Sequence, residues 1–213
     1  MLIRTVVAIL LLAAPRAEKT RVACVGDSIT FGACVQDRDK NCYPAVLGSL
    51  LGDAYDVRNF GVNGATLLKK GDLPWWNVDA YKAATDFNPD LVVIKLGTND
   101  TKPQNWKNKA DFEADYKALI HHFKELPAKP TVWIALPVPV LKENFGITKK
   151  GSEEQQPMLL KIAKDEGCGV IDLYKAVATK DLFDPDGIHP NAAGAKKIAE
   201  AVFATLSAKK KSK

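Results

Sequence analysis

Histidine and cysteine are scarce in this chain, with three histidines and four cysteines among 213 residues. No Cys-x-x-Cys pair and no His-Glu-x-x-His stretch occurs, so the usual spacings for a zinc site are missing and no metal is expected. No apolar run approaches the roughly 20 residues a membrane-crossing helix needs. The sequence also lacks Gly-x-Ser-x-Gly, which disfavours an α/β-hydrolase elbow. Internal repeats and low-complexity linkers are absent, so nothing marks a second domain. Net charge is +5, and four lysines of the tail Ala208–Lys213 account for most of it. The body is close to neutral, and charge makes no case for a nucleic-acid partner.

What is present begins with a processed-looking start. Arg4 supplies a positive charge, and Thr5 to Ala14 is an almost unbroken apolar run of ten residues. That pattern matches the apolar core of a secretory signal, although Pro15 makes the cleavage site imperfect. The expectation is a signal peptide over residues 1–17, a secreted or periplasmic location, a domain over 18–207 and a solvated basic tail over 208–213. In an oxidising compartment Cys34 and Cys42, which bracket a polar stretch, are expected to form a disulfide. Cys24 and Cys168 read as buried free thiols.

Short apolar and β-branched runs at 21–25, 56–59, 91–96, 131–136 and 169–172 alternate with helical patterns near 43–51, 78–86, 109–126 and 153–166. A last helix follows Pro190 and runs to about residue 206. Strands such as Leu91-Val92-Val93-Ile94, apolar throughout, suit a sheet covered on both faces. Strands alternating with helices argue for right-handed parallel crossovers. The predicted fold is α/β, a three-layer α/β/α sandwich with a parallel sheet of about five strands. Loops after parallel strands gather on one edge, where such sheets bind ligands.

Three of those edge loops carry chemistry. Ser28, in Val25-Gly26-Asp27-Ser28-Ile29-Thr30, directly follows the first strand and is the candidate nucleophile. A serine there can equally cap a helix. Asp27 reads as a structural cap of the turn. His189, in Asp186-Gly187-Ile188-His189-Pro190-Asn191, is the candidate general base, because His121 and His122 fall in a polar-rich helix and read as surface residues. Asp186 is placed to orient the imidazole, with Asp184 as a competitor. Trp75 and Trp76 follow Gly71-Asp72-Leu73-Pro74 and either stack on a sugar or cover the core. Trp106 follows the third loop, and Pro137-Val138-Pro139 is expected to shape a further wall.

Four ordered blocks give a resemblance that spans most of the chain. Gly26-Asp27-Ser28 and Asp186-x-x-His189 resemble the first and last blocks of the SGNH (GDSL-type) hydrolases. Asn59-Phe60-Gly61-Val62-Asn63-Gly64 resembles the block with that family's oxyanion glycine, and alignment favours Gly64 over Gly61. Leu96-Gly97-Thr98-Asn99-Asp100 resembles the block with its oxyanion asparagine. The resemblance implies flavodoxin-like strand order, a triad of Ser28, Asp186 and His189, and an oxyanion hole from Ser28, Gly64 and Asn99. It implies no cofactor. Asn63, Trp75 and Trp76 are the candidate substrate-binding residues.

The branch most similar in look is the carbohydrate acetylesterases. The expected reaction is hydrolysis of small acyl esters, acetyl first, on a small-molecule or carbohydrate substrate. No nucleic-acid partner or membrane insertion is expected. A lysophospholipase, thioesterase or arylesterase is the alternative within the superfamily. A catalytically silent carbohydrate-binding module is the alternative outside it.

Overall fold

A computed structural model describes residues 18–210. The expected signal segment, 1–17, and the last residues of the basic tail, 211–213, lie outside the described residues. Five strands form one sheet: β1 Thr20–Gly26, β2 Tyr55–Gly61, β3 Leu91–Lys95, β4 Thr131–Ala135 and β5 Gly169–Ile171. Their order is β2-β1-β3-β4-β5 and every pairing is parallel. This is the flavodoxin-like order, in which the sheet grows both ways from β1.

Alternation along the strands decides the layering. Val22 and Cys24 of β1, Val93 of β3 and Trp133 and Ala135 of β4 enter one core with Leu47, Ile198 and Val202. Ala23, Val25, Val92, Ile94, Val132 and Ile134 enter the other, with Ala84, Leu119, Ile120 and Leu159. Helices Tyr43–Leu51 and Ala192–Lys210 therefore cover one face. Helices Asp79–Phe87, Phe112–Lys124 and Lys149–Glu166 cover the other. A side-chain period of two with both faces covered is why these strands read as continuous apolar runs. Among the described residues no helix is long and apolar enough to cross a membrane.

Element boundaries follow local chemistry. The helix expected from residue 153 begins a turn earlier, at Lys149, because the Thr148 hydroxyl accepts the Gly151 N–H at 3.2 Å. The helical stretch expected from residue 109 opens as a 3-10 turn, Lys109–Asp111, before Phe112–Lys124.

Register sets the site edge. Gly26, the last residue of β1, pairs with Gly61 of β2 and Lys95 of β3. The three strands end level, so the chain leaves them at one height. Gly61 serves close approach rather than a turn: a Cβ there would lie 2.2 Å from the Phe31 nitrogen. Asn59 ties the same junction, donating to Thr30 O at 2.9 Å and accepting from the Gly61 N–H at 2.9 Å.

Candidate active site

Asp27 and Ser28 leave β1 into a single helical turn, Ser28–Phe31. The Asp27 carboxylate caps it by accepting the Ile29 N–H at 3.0 Å, as the sequence suggests. Ser28 is thereby held on a rigid strand end, with its side chain facing His189. The Ser28 Oγ lies 2.9 Å from His189 Nε2, and His189 Nδ1 lies 2.7 Å from Asp186 Oδ2. With Nδ1–H donating to the carboxylate, Nε2 is left to accept the serine proton. Ser28 and His189 are 161 residues apart in sequence.

The last loop holds its own geometry. Asp186 Oδ1 accepts the N–H groups of Ile188 and His189 at 2.7 and 2.9 Å, leaving Oδ2 for the imidazole. Burial works to raise the Asp186 carboxyl, but the His189 N–H, the imidazole and the Ile188 N–H outweigh it. The carboxyl is held below its ordinary value. The competitor Asp184 faces backbone instead, with Oδ1 accepting the Asp186 N–H at 3.4 Å and its own N–H reaching His189 O at 2.8 Å. Asn191 anchors the loop end through Asp181 O and Phe183 O at 2.8 and 3.2 Å.

Gly64 and Asn99 reach the same place from the second and third loops. Gly64 has φ +81°, a backbone angle that favours glycine. Asn99 follows β3 in a 3-10 turn, and its Nδ2 donates to Ala65 O at 3.1 Å, leaving the second amide proton for another acceptor. Ser28, Gly64, Asn99 and His189 line a cleft of about 240 Å³ with Asn63, Lys102, Ala33, Phe145 and Ile147.

Several expected participants sit elsewhere. Trp75 is fully buried, with its indole N–H bonded to Phe60 O at 3.0 Å. It is a core residue, packed against Tyr81 and Phe123, and cannot stack on a sugar. Trp76 is half-buried, donates to Leu67 O at 2.8 Å and carries Lys69 over its ring at 4.3 Å. Neither lines the cleft; of the three candidate substrate-binding residues, Asn63 does. Trp106 belongs to a neighbouring groove with Pro103, Thr148 and Glu154. His121 is exposed, as expected, whereas His122 is half-buried between Tyr81 and Thr85.

The cysteine expectation also needs correction. Cys34 and Cys42 are not bridged to each other. Cys42 is buried, with its sulfur 3.6 Å from Asn59 Nδ2, while exposed Cys34 turns its sulfur towards Asp186 Oδ2 at 3.9 Å. The two thiols point to different partners, so no bridge closes the 34–42 loop. Burial, with Asp184 and Asp186 nearby, raises the Cys34 thiol above its ordinary value. Cys24 is buried as expected, and Cys168 is half-buried.

Three contributors, Lys95, Phe145 and Ile147, escaped sequence reasoning. Lys95 is buried with its ammonium 3.1 Å from Asp27 Oδ2 and 2.6 Å from Thr98 Oγ1. Asp100 is buried beneath the loops and accepts the N–H groups of Leu67 and Leu68 at 2.9 and 2.7 Å. Burial pushes its carboxyl up to about 7 against the pull of those donors. Phe145, on the loop after β4, is 59% exposed and sits 5.9 Å from the His189 ring. With Ile147 it gives the cleft an apolar wall. Phe145 and Ile147 stand in a loop with no repeating pattern, so periodicity gave no signal for them.

Residues 24–197 match the model of the GDSL-like lipase/acylhydrolase family. An acetylxylan esterase from Xylanibacter ruminicola is 40% identical, over 91% of this chain and 44% of its own length. A multidomain esterase from Ruminococcus flavefaciens is 25% identical over 54% of this chain and 15% of its own length. The chain thus spans less than half of the length of either curated relative. Among solved structures, a carbohydrate acetylesterase from Sinorhizobium meliloti superposes with a TM-score of 0.75 at 22% identity, covering 89% of this chain and 99% of that one. The M. smegmatis aryl esterase gives 0.73 at 21% identity, with coverage of 89% and 99%.

Proposed function

Because this chain belongs to the GDSL-like lipase/acylhydrolase family, we propose that it is a serine esterase that removes small acyl groups, acetyl first, from a carbohydrate. The observation that carries the reading is the chain of contacts from Ser28 Oγ through His189 to Asp186, at 2.9 and 2.7 Å. Ser28 Oγ attacks the ester carbonyl as His189 Nε2 takes its proton. Asp186 keeps the proton on Nδ1 and stabilises the imidazolium that forms. The Ser28 and Gly64 N–H groups and the Asn99 amide donate to the developing oxyanion. His189 returns the proton to the leaving alkoxide, leaving an acyl-serine. It then activates a water that releases the acid and restores Ser28. The reaction draws on no cofactor.

The cleft of about 240 Å³ favours a small acyl group. Each further methylene contributes only about 0.8 kcal/mol and must be shielded from water, which a cleft of this volume can do for a short chain. The 40% identical acetylxylan esterase supports acetylated xylan as the substrate class. Export through segment 1–17, with 18–207 as the catalytic unit, is part of the same proposal, supported by the charged start and apolar run.

The test compares p-nitrophenyl acetate with p-nitrophenyl octanoate by kcat/KM and measures acetate release from acetylated xylan, with Ser28→Ala as control. Acetate should be preferred, and Ser28→Ala should lose on the order of 10³-fold or more. Octanoate preferred by more than about tenfold, a difference of about 1.4 kcal/mol, would turn the reading to a lipid or thioester hydrolase. A folded Ser28→Ala protein with wild-type turnover would remove Ser28 from the mechanism.

A further inference from the structure

We propose that Cys34, Asp186 and His189 form an inhibitory site for a thiophilic divalent cation such as Zn²⁺ or Cd²⁺. One ligand atom from each residue lies within 4.8 Å of the other two. Cys34 is exposed, and its left-handed backbone angle, φ +64°, accompanies a sulfur turned towards Asp186. Tetrahedral Zn²⁺, with bonds of about 2.0 to 2.3 Å, spaces sulfur, nitrogen and oxygen ligands roughly 3.4 to 3.6 Å apart. The sulfur and carboxylate oxygen are at 3.9 Å, and the ring nitrogen and the same oxygen at 2.7 Å. Both separations are within an ångström of what the ion needs, and the sulfur and ring nitrogen are within 4.8 Å of each other, a gap that side-chain rotation can close.

The surroundings fit this donor set. Asp186 Oδ1 is fixed by the Ile188 and His189 N–H groups, so the carboxylate is already oriented. Asp184 adds a second carboxylate to the same loop, and a cation is welcome beside two negative groups. Binding replaces the sulfur–hydrogen bond with a sulfur–metal bond and releases the proton to solvent. A thiolate, a carboxylate and a neutral imidazole then offset the ion's charge, with water at the remaining position. Capture of either ring nitrogen disables the imidazole: at Nε2 it can no longer accept the Ser28 proton, and at Nδ1, whose proton then moves to Nε2, it loses Asp186 and has no free nitrogen left to accept the Ser28 proton. The ion is thus an inhibitor and no part of the reaction. The inhibitory effect rests on the esterase reading; the binding does not.

The two parts separate experimentally. Cd²⁺ titrated into the full chain, and into the full chain bearing Ser28→Ala, should produce a thiolate-to-metal charge-transfer band saturating at one equivalent. Cys34→Ala and Cys34→Gly should abolish it, the glycine variant being free of strain at this backbone angle. Zn²⁺ should inhibit p-nitrophenyl acetate hydrolysis, reversibly with EDTA. Both variants should retain metal-free turnover and need at least about tenfold more Zn²⁺ for half-inhibition. A band that survives loss of Cys34, or unchanged Zn²⁺ sensitivity in the variants, overturns the proposal. A Cys34-dependent band in a chain with no ester hydrolysis supports the metal site and sinks the esterase reading alone.

Discussion

Lys95 and Asp27 form an ion pair at 3.1 Å directly beneath the serine loop, with side-chain exposures of 2% and 0%. The pair joins the end of β3 to the residue before Ser28 and, through Thr98 Oγ1, reaches the loop that carries Asn99. A buried ion pair is not by itself strong stabilisation, but breaking one leaves an uncompensated charge. Lys95→Met should therefore cost about 3–5 kcal/mol in urea unfolding. The double variant Lys95→Met/Asp27→Asn should cost less than the sum of its single changes, because the remaining amide can still cap Ile29 without a charge. Additive losses would mean the two groups are not coupled.

Asn99→Ala should lower kcat on the order of 10²-fold or more, about 3 kcal/mol, with a much smaller change in KM. The amide is asked to stabilise charge that exists only in the transition state. A rise in KM with kcat unchanged would assign Asn99 to binding the ground-state substrate instead.

Asp186 should give the acid side of the stability profile a visible component. Its carboxyl is held below the ordinary value, so its contribution is present above the unfolded value of about 3.9 and is lost as pH falls through the folded value. Asp186→Asn should be less stable than wild type near neutral pH. The two urea midpoints should converge as the medium is acidified below about pH 4. A gap that widens on acidification would contradict the sign. In the same variant kcat should fall on the order of 10³- to 10⁴-fold, because the amide no longer fixes the reactive tautomer.

Trp75→Ala should act on stability and leave substrate affinity alone. Removing a fully buried indole should cost about 3–5 kcal/mol. Trp76→Ala should cost less, since that ring is half-buried. For protein that remains folded, KM for acetylated xylan should stay within about twofold of wild type, well under the 1.4 kcal/mol of a tenfold change. A large rise in KM for Trp76→Ala would restore its role at the site.

The parallel sheet was legible because its causes are local. Each strand is a short apolar run buried on both faces, and Gly, Asn and Asp residues mark where the runs stop. The site edge followed from the same reading: Ser28, Gly64 and Asn99 all stand just beyond a strand, and parallel strands deliver their following loops to one side. Ser28 and His189, far apart in sequence, could be named from their flanking turns, but their 2.9 Å contact depends on the fold returning the last loop to the first.

Sequence by itself determined the layer order, the strands and the loops that carry polar chemistry, because patterning of period two or 3.6 is written residue by residue. Tertiary structure decided which of two similar groups is used. Asp186 rather than Asp184 meets the imidazole because the Ile188 and His189 N–H groups turn its carboxylate that way. Trp75 became core because Phe60 O accepts its indole proton inside the apolar layer. Cys34 and Cys42 stayed apart because one sulfur faces Asp186 and the other is buried by Asn59. Lys95, a charge in an otherwise apolar strand, found a buried partner in Asp27 only because β1 and β3 are neighbours. Apart from the Asp186 loop, which is set by its own N–H groups, each choice rests on contacts between segments distant in sequence, and no local pattern encodes which of the available partners will be nearest.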